Sequence, residues 1–268
     1  MMNNILTCPV CKEELKKIEN SYHCKNRHSF DIAKEGYVNL LAVNKKNSKA
    51  PGDNKEMLVA RKDFLNSGAY NQLLEKILYI IEQYNRTQSV ILEAGCGEGY
   101  YISNIKNNLK DAQCFGFDIS KEAIKLASKR SRDVNFYVAS GYEPNIKEKS
   151  VDVLIVIFAP FAQDEYNKLL ADDGICIVVK PNTNHLIELK NQLYDNIKQV
   201  KPSVYNKFYI DSTYNLTYTF KPTEENLYNL FKMTPFFYRV SEEKKQKLQK
   251  NLKNLPIKAD FLIEVLKK

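Results

Sequence analysis

No segment of this chain is long and apolar enough to cross a bilayer as a helix. The longest apolar run, Val153 to Ala162, holds a proline and falls well short of the roughly twenty residues that a span needs, so no membrane partner is expected. Internal repeats and low-complexity tails are missing too, which excludes a solenoid or a disordered arm. Cysteine numbers only six, and no secretory leader precedes the first of them. An extracellular disulfide framework is therefore not expected, and a reducing cytoplasm is. Glycine is scarce, at nine residues in 268, yet the 44% hydrophobic content suffices for a real core. The length allows one large domain with an appendage, or two domains.

Three of those nine glycines fall within five positions, in Glu93-Ala94-Gly95-Cys96-Gly97-Glu98-Gly99-Tyr100. An apolar, β-branched stretch (Ser89 to Leu92) precedes them and a helical pattern (Tyr100 to Leu109) follows. A strand that turns sharply into a helix needs glycine where φ is positive or where backbone must touch a ligand. The dinucleotide fingerprint reads G-x-G-x-x-G, but here the spacing is G-x-G-x-G, with Glu93 two residues ahead of it. An acid at that place repels a pyrophosphate and welcomes the ammonium and sulfonium of S-adenosylmethionine. Asp118 ends the next apolar run (Cys114 to Phe117), nineteen residues beyond Gly99, where an acid takes ribose hydroxyls. Read singly, the glycines make an ordinary tight turn, and Asp118 belongs to the N-cap region of a helix from Lys121 to Arg130. Together they predict a cofactor site at Glu93, Gly95, Gly97, Glu98, Gly99 and Asp118. The pattern resembles that of the Rossmann-like methyltransferases.

The first residues carry different chemistry. Cys8, Cys11, Cys24 and His28 give the spacing C-x2-C-x12-C-x3-H, two chelating turns that supply three thiolates and an imidazole to a closed, structural zinc ion. His23 competes with His28 but would share one tight turn with Cys24, so chelate spacing favours His28. Cys96, Cys114 and Cys176 lie in apolar surroundings and read as buried free thiols. Residues 1–50 carry nine Lys/Arg against five Asp/Glu, half of the net charge of +8. With Tyr22, Phe30 and Tyr37 this suits a nucleic-acid grip; a lysine-rich surface of AT-rich coding origin is an equal reading of the charge alone.

A polar stretch from Asn44 to Asp53 reads as a linker. Helical patterns follow at 55–66 and 70–84, and then strands near Val90, Cys114, Val134, Val153 and Ile175 alternate with helices in most of the gaps. That alternation predicts an α/β fold with a doubly wound parallel sheet, ligands sitting at the carboxyl ends of its strands. Beyond Lys180 the pattern predicts a helix over 185–200, hairpin strands over 208–220, helices over 226–232 and 241–254, and a last strand over 257–265. The domain reading is a zinc-binding, RNA-recognition module at 1–43, a linker and helices at 44–87, and the methyltransferase domain at 88–268.

The run from Cys24 to Leu41, through His28, Phe30, Asp31, Lys34, Glu35, Gly36 and Tyr37, resembles the opening segment of the bacterial 23S rRNA (guanine-N1-)-methyltransferases. Further matching blocks are Pro51-Gly52-Asp53, Ala60-Arg61, Gly95 to Tyr101, Ile157 to Pro160, His185 with Glu188 and Leu189, and Met233 to Phe236, so the likeness spans nearly the whole chain. It implies a Rossmann-like class I methyltransferase sheet behind a small zinc module, with S-adenosylmethionine as cofactor. It also implies 23S rRNA (domain II) as substrate, a homodimer, and in some members a link to macrolide resistance. Zinc falls at Cys8, Cys11, Cys24 and His28, and cofactor contacts at Tyr70, Gly97, Glu98, Asp118 and His185. From the residues alone Tyr70 reads as a core aromatic and His185 as a surface helix residue. The family often carries Asp in place of Glu93, and Tyr and Cys in place of Phe158 and Phe161. The turn from Phe158 to Phe161 reads equally as a platform for the target base or as a cap on the core. Asp164 and Glu165 are near it in sequence only, and no catalytic base is assigned.

Overall fold

The computed structural model describes residues 4–41, 54–84, 89–194, 197, 202–251 and 255–268. The expected linker, the Pro51-Gly52-Asp53 block, residues 195–196 and 198–200 of the helix expected over 185–200 and residues 252–254 of the helix expected over 241–254 lie outside the described residues. At the front, β1 (Lys16–Ile18), β2 (Ser21–His23) and β3 (Ser29–Asp31) form a small antiparallel sheet. Then β4 (Val38–Asn39) leaves that module and pairs in parallel with β7 (Asn135–Val138), becoming the edge of the large sheet.

The large sheet is eight-stranded, in the order β10-β11-β9-β8-β5-β6-β7-β4. Its parallel centre comprises β5 (Val90–Ala94), β6 (Gln113–Asp118), β7, β8 (Val151–Ile157) and β9 (Leu170–Pro181). The chain winds outward from β5 to β7, then returns to β8 on the other side of β5. The switch point therefore lies between β5 and β8, where a doubly wound sheet opens a crevice at its carboxyl ends. The helices α1 (Lys55–Asn66), α2 (Asn71–Gln83), α3 (Tyr100–Asn108) and α4 (Lys121–Arg130) follow the sequence pattern closely. Asn54 caps α1 through Met57 N–H, and Ser120 caps α4 through Ala123 N–H, each satisfying one orphan amide.

Two expectations need correction. Residues 208–220 are not a hairpin: Tyr209–Phe220 is one strand, β10, paired antiparallel along its length with β11 (Ile257–Lys267), which in turn pairs antiparallel with β9. The helix expected over 185–200 is α6 (Ile187–Leu193), which begins only after Leu186 in a left-handed conformation and ends at Tyr194, whose backbone is extended. The remaining helices, α5 (Gln163–Leu169), α7 (Glu224–Lys232) and α8 (Glu242–Asn251), fall near their expected places or in a strand connection.

The core lies on both faces of the sheet. On one face Ile91, Cys114, Phe136, Ile155 and Ile177 meet α2, α3, α4 and α7. On the other, Leu92, Ala94, Phe115, Phe117 and Tyr137 meet Tyr166 and Leu169 of α5, and also Ile5, Leu6, Cys8, Leu15 and Cys24 of the front module. The connection from β7 to β8 contains no helix. The module fills that vacancy: Leu6 bridges to Ile146, Thr7 N–H donates to Asn145 O (2.8 Å) and Lys147 N–H to Ile5 O (2.8 Å). Among the described residues no helix is long and apolar enough to cross a membrane.

Candidate cofactor and metal sites

Cys8 and Cys11 flank a turn before β1, while Cys24 and His28 flank the turn from β2 to β3. The four donor atoms lie within 4.8 Å of one another, the one such group among the described residues. The Cys8 Sγ–His28 Nδ1 separation is 3.5 Å, Cys24 Sγ–His28 Nδ1 is 3.3 Å and Cys11 Sγ–Cys24 Sγ is 3.7 Å. A tetrahedral zinc ion with ordinary bond lengths sets such edges at roughly 3.5–3.8 Å, so the residues fit the ion. His23, the competing ligand, is outside the group. The Glu13 amide, ahead of its other neighbours, holds the Cys11 thiol down to about 6, near the thiolate that a metal needs.

At the switch point the glycine loop leaves β5 and opens α3. Gly95 has φ +70° and a Cβ there would come within 2.7 Å of Ala159 Cβ. Gly99, the cap of α3 at φ +80°, would collide with Ala127 at 2.8 Å. Both positions exclude a side chain on two counts. Asp118, at the tip of β6, accepts from Gly97 N–H (3.0 Å) and Ser120 N–H (2.8 Å), which ties this acid to the glycine loop itself.

The other two acids face inward. Glu93 is 2% exposed and its Oε2 accepts from Ile102 N–H in the first turn of α3 (3.0 Å). Burial pushes its carboxyl well above the ordinary value; the Ile102 amide opposes the shift, and the charges of Glu98 and Asp118 add to it. Glu98 is 1% exposed, and Arg130 at the end of α4 donates to its Oε2 (Nε 2.7 Å) while also reaching Asn66 of α1 (3.0 Å). Its Oε1 has no hydrogen-bond partner among the described residues. Three carboxylates thus interact around a glycine loop, one with an orphaned oxygen. That donor set fits a cationic, hydroxyl-bearing cofactor such as S-adenosylmethionine.

Tyr70 and His185, far apart in sequence, meet at the same end of the sheet. Tyr70 caps α2, and its Oη lies 3.4 Å from His185 Nε2. Both are buried with Phe261, whose ring centroid is 5.1 Å from that of Tyr70 and 4.8 Å from that of His185. Next door, Tyr100 Oη donates to Asn71 Oδ1 (2.8 Å), joining the glycine loop to the start of α2.

The turn after β8 separates its two phenylalanines. Phe158 is 46% exposed, stacks on His185 (6.1 Å, 26°), and holds φ at +52°, a conformation a bulky residue rarely keeps without cause. Phe161 instead packs among Tyr166, Tyr205 and Phe208. Glu165 is occupied by Lys168 (2.7 Å), and Asp164 is exposed on α5.

Comparison with known proteins agrees with this layout. Residues 6–49 match the RlmA N-terminal zinc-ribbon family and residues 91–182 a methyltransferase-domain family. A Micromonospora griseorubida protein provisionally named 23S rRNA (guanine-N(1)-)-methyltransferase is 30% identical over 210 residues, 70% of this chain and 69% of that one. The chain belongs to the 23S rRNA (guanine-N1-)-methyltransferase family. Two more relatives are 28% identical. One, the 23S rRNA (guanine(748)-N(1))-methyltransferase of Streptomyces fradiae, matches over 70% of this chain and 67% of that one. The other, YxjB of Bacillus subtilis strain 168, provisionally named for the same reaction class, matches over 96% and 95%. The cofactors of this methyltransferase are accordingly S-adenosylmethionine and a structural zinc ion. Sequence reasoning missed Arg130, Asn71 and Phe261, which no local spacing marks, because each reaches the site by packing from a separate element.

Proposed function

We propose that this chain transfers a methyl group from S-adenosylmethionine to N1 of a guanine in a hairpin loop of domain II of 23S rRNA, in the cytoplasm. The bound cofactor supplies an electrophilic methyl on a sulfonium. Tyr70, Glu93, Gly95, Gly97, Glu98, Gly99, Asp118 and His185 would hold it; Cys8, Cys11, Cys24 and His28 would hold zinc. Residues 1–43 form the zinc-binding RNA module in this reading, 44–87 the connection, and 88–268 the methyltransferase domain. A homodimer would set two such clefts against one RNA.

The observation that carries the reading is the exposed ring of Phe158, in the turn whose next residue, Ala159, abuts Gly95 of the glycine loop, in a chain of this family. Guanine N1 must be unpaired to be reached and must lose its proton before or during transfer. An aromatic face at the cleft mouth offers an unstacked base a surface worth about 1–3 kcal/mol. To test this, protein and labelled methyl donor are incubated with 23S rRNA, a domain II transcript, and a ribosomal protein extract. Label recovered as 1-methylguanosine from the two RNAs supports the proposal. Label in protein, or in another methylated nucleoside, overturns it.

A further inference from the structure

Residues 182–185 leave β9 and lead to α6, and such a turn has no ladder of its own to fix it. It closes on itself through His185 N–H to Asn182 O (3.1 Å), and Asp260, on β11, ties it to the sheet. The Asp260 carboxylate accepts from Asn184 N–H (3.0 Å), Asn182 Nδ2 (3.3 Å) and Thr217 Oγ1 (2.8 Å). Its carbonyl accepts from Asn182 N–H (2.9 Å). The β9–β11 ladder ends at the Pro181–Phe261 pair, and the next amide, Asp260 N–H, donates to His185 Nδ1 (3.3 Å). A buried amide needs an acceptor, and here the imidazole is the acceptor.

Asp260 is 4% exposed, among apolar neighbours on its own strand such as Ala259, Phe261 and Ile263. Within the sheet the carboxylate gains one cross-strand bond, from Thr217 on β10, and burying a carboxylate is costly unless further hydrogen bonds compensate. Two of its three side-chain bonds go to the turn that ends in His185. A ring nitrogen that accepts from an amide carries no proton, so the neutral ring bears its proton on Nε2, the atom facing Tyr70 Oη.

We propose that Asp260 is a positioning residue of the cofactor site, locking the 182–185 turn so that His185 presents a neutral Nε2–H donor beside Tyr70. The proposal rests on the reading that Tyr70 and His185 line that site. Burial, more than the nearby Lys190 charge, keeps the ring from taking a second proton, against the pull of Asp260.

The chain has only three histidines, so nitrogen-15 spectra of the imidazoles in the zinc-loaded protein resolve each ring, and His185→Gln identifies the third. The expected wild-type signature is a single Nε2–H tautomer that does not titrate between pH 5.5 and 8. Asp260→Asn, nearly isosteric, should mix the tautomers and weaken S-adenosylmethionine binding about tenfold by calorimetry. Asp260→Ala should do more, and unchanged zinc content and near-wild-type circular dichroism identify folded variants. If His185→Gln weakens binding while Asp260→Asn leaves tautomer and affinity unchanged, the positioning role is overturned alone. If His185→Gln leaves affinity unchanged, the cofactor-site reading fails and takes the proposal with it.

Discussion

Phe158 and Phe161 stand three positions apart and have opposite environments, one open and backed by His185, the other enclosed by three rings. Phe158→Ala should lower kcat/KM for RNA by about 10–100-fold, a larger effect than any weakening of cofactor affinity through its lost stacking on His185. Steady-state kinetics beside calorimetry would separate the two. Phe161→Ala should instead cost about 3 kcal/mol of stability, read by urea unfolding. Gly95→Ala should abolish cofactor binding, because the added carbon meets Ala159 in a backbone conformation that disfavours it. A pH effect follows from His185, which burial holds down to about 3. Between that value and the ordinary 6.5 the unfolded chain binds more protons than the folded one. Stability contributed by the neutral ring is therefore full above pH 6.5 and lost as pH falls through this window, and His185→Gln should flatten that part of the urea-midpoint profile. Features set by a few neighbouring positions were legible in the sequence: the glycine turn between β5 and α3, the strand end at Asp118 and the C-x2-C turn. The meeting of Tyr70 with His185 was not, because it brings together residues 115 apart, which composition and spacing do not encode.

Helix α4 follows β6 and ties the end of that strand to the glycine loop after β5. Its cap, Ser120, accompanies Asp118 at one end, and Arg130 grips Glu98 and Asn66 at the other. Arg130→Met would leave a buried carboxylate without its cation, an arrangement that costs about 3–5 kcal/mol when one partner is removed. Adding Glu98→Gln should recover most of that loss, and a double-mutant cycle in urea reads the coupling. The helices were legible because their caps and apolar stripes are local signals. Strand β10 was misread as a hairpin because its partner, β11, enters from the far end of the chain. The missing helix between β7 and β8 left no mark in the pattern, since a gap of loop residues does not announce what covers the sheet there.

For the whole molecule, the front module is part of the core that covers one sheet face, and Cys8 and Cys24 share a cluster with Phe117 and Ala94, the residue before the glycine loop. Zinc removal by a chelator should therefore lower the melting temperature and the S-adenosylmethionine affinity together, in one cooperative transition. Two separate transitions with affinity retained would mean an independent appendage. The Rossmann-like sheet was legible from its alternation and the family from its motifs, whereas the fusion of module and sheet was not, because packing across the β4–β7 seam is long-range. The most direct test of the central claim is reverse transcription across domain II of unmethylated 23S rRNA after incubation with the protein. A methyl on N1 blocks pairing, so the expected result is a cofactor-dependent stop one base before a single guanine in a hairpin loop. Read-through across domain II, with methyl transferred to another acceptor, would contradict it.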